Sequence, residues 1–408
     1  MNQEIIESIA YIARTRKLST DFIVESLKEA IVSILKKKYG PDHPIEVRLD
    51  AKRGDLSILI EKEVAERVTN PEFQISLEEA RKAVPDIQPG EKIMVQVPLE
   101  SFGRGLIARI QNNFQQRIRE AERLRIYRDF QKRKGELIKG RIWRVDKTGV
   151  YVQIGAEGII PPEEQIPGEK YRINREVLAI ILDVDKVTRR KPQVILSRTH
   201  PDFIRRLMEQ EIPEVTEGTV EVRAVVRVPG RRAKVAVRSK DPRVDPVGAC
   251  IGIRGTRIRP VVQELGSENI DIVRWYPDTI RMATSALSPV VPLMVFEKDD
   301  KIYAVVEDDK VADAKGKDGL NIILASRLVG KEIIVVPSSE YELPKDVFTV
   351  LELDVPPDVN EKLRKAGYFV FTDVPLLAEL MERTGLDERT ALLVLKKIEE
   401  GIEKKVVQ

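Results

Sequence analysis

Two related stretches in the second half of the chain decide its fold: "GIRGTRIRPVVQELGSENIDIVRW" at residues 252–275 and "GKDGLNIILASRLVGKEIIVV" at residues 316–336. Each begins with G-x-x-G and continues with an isoleucine, an amphipathic helical pattern, a further glycine and a β-branched strand. The isoleucine and the later glycine keep the same spacing from the motif in both copies. Two copies of one pattern predict two related modules in tandem.

The G-x-x-G motif indicates a loop whose main chain a phosphate group can approach closely, because glycine has no Cβ. The helix expected to start at the second glycine presents unpaired N–H groups and its positive dipole end to an anion. Positive charge at the same edge is expected from Arg254, Arg257 and Arg259, and an apolar groove for bases from Ile251, Ile253 and Ile258. KH domains clamp about four nucleotides of a single strand in this way.

The segment that precedes these modules has a different sequence pattern. From "GELIKGRIWRVDKTGVYVQIG" at residues 135–155 onward, short strands recur at regular spacing between Gly, Lys-Thr-Gly and Pro-Gly turns. This spacing is typical of a small five-stranded oligonucleotide-binding barrel.

The two ends of the chain are richer in helical patterns. Residues 1–38 predict two helices, and the segment from Gly105 to about Lys134 predicts a long amphipathic helix that connects two domains. After Pro344, glycines at 367 and 385 punctuate a helix–hairpin–helix-like unit. This unit fits either a contact with a protein or nucleic acid, or a packed helical cap.

Composition indicates several well-solvated folded domains, since 33% of the 408 residues are charged and 42% are hydrophobic. From Lys132 to Asp278 there are about 29 basic and about 21 acidic side chains, an excess that suits a polyanion. A salt-bridged surface is the alternative interpretation. No apolar run approaches the ~18 residues of a membrane span and no signal core opens the chain, so we expect a cytoplasmic protein.

The residue types available for chemistry are few. One cysteine, Cys250, and two histidines, His43 and His200, exclude the usual zinc ligand sets. Neither histidine lies in a motif that activates a nucleophile, and no phosphate-binding P-loop occurs. We therefore expect no enzymatic activity, no metal and no cofactor, and we expect Cys250 to be a small buried hydrophobic residue.

The stretch "IPEVTEGTVEVRAVVRVPGRRAKVAVRSKDPRVDPVGACIGIRGTRI", with the exit "ENIDIVRW", resembles the first KH domain of the NusA family of bacterial transcription factors. "EEQIPGEKYR" and "QVILSRTHPDF" resemble the end of that family's S1-type barrel. "MNQEIIESIAYIARTRKLSTDFIVESLKEAI" and "REAERLRIYRDF" resemble its polymerase-binding domain. The resemblance covers nearly the whole chain in the family's domain order.

The resemblance implies a multidomain α+β fold. It predicts an N-terminal α/β head with a long connector helix (1–133), an S1-type OB barrel (134–199), two tandem type II KH domains (200–280 and 281–344) and a small helical C-terminal domain (345–408). The last domain resembles one copy of an acidic repeat that some members carry twice.

The function implied is that of a non-catalytic RNA-binding transcription factor. It would bind core RNA polymerase and single-stranded nascent RNA and modulate pausing, intrinsic termination and antitermination, with other antitermination factors as further partners. A monomer is expected. An RNA-decay enzyme is a second class, which the short, basic N-terminal region argues against. A ribosome-associated or RNA-chaperone protein would share the S1-type and KH modules without the polymerase-binding head.

Site residues follow from the resemblance position by position. The first clamp is Gly252, Ile253, Arg254 and Gly255, and the second is Gly316, Lys317, Asp318 and Gly319. Tyr151 is expected to stack on a base, or else to be a half-exposed strand aromatic. Arg104 and Arg109 open the long helix in a region that the family directs toward nascent RNA, or are solvated helix charges.

Some positions depart from the family pattern. Asp318 puts a carboxylate into the second clamp, so we expect weaker RNA binding there than at the first. Lys315 and Ile323 stand where the family usually has an aliphatic and often a basic residue, respectively. Pro161 replaces a histidine that many S1-type barrels have.

Overall fold

The computed structural model describes residues 2–50, 53–186, 194–266, 268–342 and 348–407. Two compact units divide the chain: Met1–Lys132 with Val184–Gln193, and Arg133–Asp183 with Val194–Gln408. None of the helices in the described ranges combines the length and the apolar surface that crossing a bilayer requires.

The first unit is a helical layer on a small sheet. Its elements are α1 (Asn2–Arg16), α2 (Thr20–Tyr39), β1 (Ile45–Asp50), β2 (Asp55–Ala65), β3 (Gln74–Ser76), α3 (Leu77–Arg81), β4 (Lys92–Gln96) and α4 (Arg104–Gln131). Strand β2 pairs with the other three strands. Apolar residues of α2 and α4, such as Ile31 and Ile110, pack with Ile58 and Ile60 of β2. The two N-terminal helices and the long helix are thus present as predicted.

The second unit begins with a closed five-stranded barrel, as the strand spacing predicted. Its strands are β5 (Leu137–Asp146), β6 (Gly149–Gln153), β7 (Glu157–Ile160), β8 (Glu176–Val184) and β9 (Val194–Ser197), in the spatial order β5-β6-β7-β9-β8. Gly140 is required on β5, because a Cβ there would lie 2.8 Å from the carbonyl oxygen of Gln153 and 2.5 Å from Val152 Cγ1.

Two α+β modules follow the barrel, and their element order is the same apart from one additional short helix in the first. The first contains α5 (Pro201–Glu211), α6 (Pro213–Thr216), β10 (Val220–Val228), β11 (Arg232–Ser239), α7 (Pro246–Ile251), α8 (Ile258–Glu264) and β12 (Asn269–Arg274). The second contains α9 (Thr279–Ala286), β13 (Met294–Lys298), β14 (Lys301–Val306), α10 (Val311–Lys315), α11 (Leu320–Val329) and β15 (Ile333–Pro337). In each sheet the central strand pairs antiparallel with the first strand and parallel with the last. This is the predicted tandem of KH domains.

The C-terminal segment is mainly helical. It contains β16 (Phe348–Thr349), α12 (Pro357–Lys365), β17 (Val370–Phe371), α13 (Leu377–Thr384) and α14 (Glu388–Val407). The predicted helical hairpin is formed by α13 and α14, with Gly385 in the left-handed region at φ +66°. Leu363, Leu380 and Val394 share one apolar cluster with Leu287 of the second KH domain. On this face the segment is a packed cap.

A buried arginine joins the barrel to the first KH domain. Arg198 follows β9, and only 1% of its side chain is exposed. Its Nε and Nη2 donate to the two carboxylate oxygens of Glu169 in the barrel, at 2.9 and 2.6 Å. Its Nη1 donates to Glu264 of α8 at 2.7 Å. Because a buried guanidinium needs its partners in place, these bonds fix the two domains against each other.

A second buried pair holds the turn between β10 and β11. Arg227 donates through Nε and Nη2 to Glu268, at 2.9 and 2.5 Å, and Glu268 is fully buried. The Glu268 carboxylate also accepts from the backbone N–H of Gly230 at 2.9 Å. The β10–β11 turn is therefore held against the residue that directly precedes β12.

Candidate nucleic-acid interface

The first G-x-x-G loop is a tight, exposed turn between α7 and α8. Gly252 has φ +71° and donates its N–H to the carbonyl of Gly248 at 2.8 Å, which ends α7. Arg254 has φ 52°. A Cβ on Gly252 would lie 2.8 Å from Arg257 Cγ, so both the backbone and the neighbouring side chain require glycine there.

Helix α8 starts later than expected. We predicted that it begins at Gly255, but Ile253–Gly255 form a single 3₁₀ turn and α8 begins at Ile258. The backbone N–H of Arg257 donates instead to the carbonyl of Ile251 at 3.2 Å. The clamp at this loop therefore presents a turn rather than the first turn of a helix. In the second loop, α11 begins at Leu320, directly after the second glycine, as predicted.

The three loop arginines have different environments. Arg257 was expected to present positive charge to an anion, but its Nη1 donates to Glu214 at 2.6 Å and to the carbonyl of Ala249 at 2.8 Å. Arg257 therefore holds the end of α7 in place. Arg254 and Arg259 are exposed, and neither pairs with a carboxylate within the described part of the chain. Ile253, between the two glycines, is 85% exposed.

The second loop repeats this backbone with different charges. Gly316, Asp318 and Gly319 have φ values of 72°, 54° and 71°, close to those of the first loop. The Asp318 carboxylate accepts from Nη2 of Arg231, which lies in the β10–β11 turn of the first KH domain. The acidic residue that we expected to repel phosphate is therefore partly neutralised by a neighbouring domain. Lys317 contributes an exposed positive charge.

Tyr151 does not present a face for base stacking, so that expectation is wrong for this structure. It is only 6% exposed, and the Arg144 guanidinium lies 3.6 Å from its ring centroid. The Tyr151 hydroxyl shares a hydrogen bond of 2.7 Å with Thr148 Oγ1. The aromatic residue that the barrel exposes is Trp143 on β5, at 42%. The exposure of Trp143 could have been predicted from the alternation of buried and exposed residues along β5, in which Ile138 and Ile142 are buried.

Arg104 and Arg109 are exposed on the first turns of α4, in the first unit. They lie beside the buried residues Ile110 and Phe102, which pack into that unit's core. Both readings of these arginines, RNA contact or solvated helix charge, fit their exposure.

Residues that were expected to be structural have structural environments. Cys250 is fully buried, and burial raises the pKa of its thiol to about 12. His200 Nδ1 accepts from the backbone N–H of Asp202 at 3.2 Å and caps α5. His43 Nε2 lies 2.9 Å from the carbonyl oxygen of Glu61.

Four family models match successive parts of the chain. The NusA N-terminal domain matches residues 4–124, the S1 RNA binding domain 131–197, the NusA-like first KH domain 198–275 and the NusA-like second KH domain 280–343. The transcription termination/antitermination protein NusA of Halalkalibacterium halodurans is 36% identical over 343 residues, which cover 83% of this chain and 90% of that protein. The chain belongs to the NusA family.

Further NusA proteins agree with this assignment. Those of Bacillus subtilis and Thermus thermophilus are each 35% identical, covering 82% of this chain and 90% and 89% of their own lengths. NusA proteins are RNA-binding transcription factors and not enzymes, so the predicted class of function is confirmed. RNA and the transcription machinery are accordingly the partners of this chain.

Proposed function

We propose that this NusA family member binds core RNA polymerase through residues 1–133 and holds nascent single-stranded RNA on the domains that follow. These are the barrel (134–199) and the two KH domains (200–280 and 281–344), with residues 345–408 as a helical C-terminal domain. The protein acts as a cytoplasmic monomer, modulates pausing, intrinsic termination and antitermination, and cooperates with other antitermination factors. Single-stranded RNA has the anionic backbone that the basic middle of the chain suits.

The observation that carries the RNA-binding part is the exposed first loop. Nothing lies within 4 Å of the position that a Cβ of Gly255 would take, so the main chain is open to a phosphate group there, while Arg254 and Arg259 supply charge that no described carboxylate neutralises. Ile253 is 85% exposed between the two glycines, so its apolar side chain is accessible to a ligand at the same turn. A base that packs on Ile253 while its phosphate contacts the turn satisfies all of these groups.

The second loop serves as a weaker clamp in this proposal. The main chain is similarly open at Gly319, where the nearest atom to a Cβ would be Ile323 Cδ1 at 3.9 Å, and Lys317 supplies one positive charge. Asp318 competes with a phosphate for Arg231, because the carboxylate and the phosphate accept from the same guanidinium. In the barrel, Trp143 is the residue that stacks on a base.

Arg104 and Arg109 are proposed to contact the transcript from the N-terminal domain. The competing proposal, a ribosome-associated or RNA-chaperone protein, does not account for a NusA N-terminal domain over residues 4–124.

Two assays with the full-length chain test the proposal. The chain is first retained on immobilised core RNA polymerase, and a pausing assay is then run with and without it. The first-loop variant, Ile253→Asp with Arg254→Asp, is expected to stay bound to polymerase and to lose RNA binding. Failure of the wild-type chain to bind polymerase would refute the proposed polymerase contact. Undiminished RNA binding by the first-loop variant would refute the proposed clamp.

A further inference from the structure

A cleft of about 250 Å³ lies at one end of the first KH sheet. Arg238 at the end of β11, Pro246 at the start of α7, and Arg274, Trp275 and Tyr276 at the end of β12 line its walls. None of these residues was singled out by the G-x-x-G pattern. We refer to this site as the Trp275 cleft.

Aromatic rings and guanidinium groups are stacked in and around the Trp275 cleft. The guanidinium carbons of Arg223 and Arg238 lie 4.8 and 5.5 Å from the centroid of the Trp275 ring. The guanidinium carbon of Arg281 lies 4.2 Å from the ring centroid of Tyr276. A guanidinium group over an aromatic ring is attracted to the face of the ring, and such contacts help to hold these arginine side chains in place.

The positive charge of the cleft is only partly balanced. Arg274 donates to Asp245 at 2.6 Å, and the Asp241 carboxylate is taken by Arg243 at 2.7 Å. Arg238 is exposed and makes no ion pair with any residue that the structure describes. An anion that enters the cleft therefore meets one guanidinium, that of Arg238, which no described carboxylate neutralises.

The cleft and the first clamp lie at opposite ends of helix α7. Helix α7 starts at Pro246 in the cleft and ends at Ile251, directly before Gly252, so the two sites are about 9 Å apart along the helix. Asp245 connects them, because one carboxylate oxygen caps α7 by accepting from the N–H of Gly248 at 2.9 Å while the other accepts from Arg274. A strand that leaves the clamp along α7 reaches the cleft within a few nucleotides.

We propose that the Trp275 cleft is a further RNA subsite, which holds a nucleotide beyond the roughly four held at the clamp. The base stacks on the Arg238 guanidinium beside Trp275, and the phosphate accepts from the N–H groups of Arg238, while Arg274, held by Asp245, adds positive charge next to it. This inference rests on the proposed RNA-binding function. Single-stranded RNA fits better than an acidic peptide, because flat stacked faces match bases whereas a carboxylate requires charge alone.

Intrinsic fluorescence gives a direct test. The chain has two tryptophans, Trp143 and Trp275, so Trp143→Phe leaves Trp275 as the single emitter. A random-sequence RNA octanucleotide pool is expected to change its emission over the concentration range in which anisotropy reports binding, and a tetranucleotide pool to leave it nearly unchanged. Octanucleotide binding without any change in Trp275 emission would overturn the subsite. A polyglutamate peptide that changes the emission where RNA does not would also overturn it.

The matched substitutions are Arg238→Ala and, as a control, Arg53→Ala. Arg238→Ala is expected to weaken octanucleotide binding by about tenfold, the scale of one lost stacking contact, and to leave tetranucleotide binding nearly unchanged. The side chain of Arg53 is 80% exposed on the β1–β2 turn, away from both proposed RNA contacts, so its removal is expected to change neither affinity beyond about twofold.

The two levels of the inference fail differently. If the first-loop variant loses both RNAs while Arg238→Ala binds the octanucleotide like wild type, the subsite is wrong and the clamp stands. If the first-loop variant keeps both affinities, the proposed clamp itself is wrong.

Discussion

The first-loop variant, Ile253→Asp with Arg254→Asp, is the perturbation that isolates the clamp from the fold. Ile253 is 85% exposed, so its replacement removes little packing. Arg254 has φ 52°, and the corresponding residue of the second loop is already an aspartate, Asp318, at φ 54°. A change at Gly252 is a poorer choice, because its Cβ would meet Arg257.

The expected magnitude follows from the charges at the turn. A unit charge about 4 Å from a phosphate in water is worth ~1 kcal/mol, so turning Arg254 from attraction to repulsion costs ~2 kcal/mol. The new carboxylate at position 253 adds ~1 kcal/mol. The sum, ~3 kcal/mol, corresponds to a roughly 100-fold rise in Kd.

The assay is fluorescence anisotropy with the tetranucleotide pool at about 0.1 M salt, repeated at several salt concentrations. Loss of one phosphate contact is expected to flatten the log–log salt dependence by ~0.7. Arg53→Asp is the control, since that side chain is 80% exposed on the β1–β2 turn of the first unit and its substitution reproduces the Arg-to-Asp charge reversal of the first-loop variant away from the loop. A loss below about threefold in the first-loop variant, or an equal loss in the control, would refute the electrostatic clamp.

Three further outcomes are expected. Arg198→Met should lower the free energy of unfolding by about 3 kcal/mol in urea titrations, because two carboxylates lose their buried cation, and a loss below about 1 kcal/mol would contradict this. In the first-loop variant background, Asp318→Asn should raise residual RNA affinity at low salt, because Arg231 is freed for phosphate; an unchanged affinity would exclude the competition. Cys250 should not react with a thiol-specific disulfide reagent at about pH 8 until the chain unfolds, because burial raises its pKa to about 12, and rapid labelling of the native chain would disprove its burial.

Most of the architecture could be predicted because its signals are local. Turn residues and strand spacing indicated the barrel, and the repeated glycine pattern indicated two KH domains. The β16–β17 ladder was missed because each strand has only two residues, too few for a period of two to show. The start of α8 was missed because the three-residue turn before it has no distinct pattern.

The site was predictable only where it depends on the main chain. The left-handed glycines of both loops follow from the motif itself. The partners of Arg257 and Asp318 do not, because Glu214 and Arg231 lie 43 and 87 residues away in sequence. Tyr151 was misjudged because Arg144, which covers it, lies beyond an irregularity in the β5–β6 register.

The bonds around Arg198 leave the barrel and the first KH domain without independent tumbling. An RNA strand that contacts both domains must therefore span a fixed distance between them, whatever its sequence. The fixed spacing between the two domains favours RNAs whose two contact segments are separated by a linker of matching length. A shorter linker is strained and a longer one loses more conformational entropy when both segments bind.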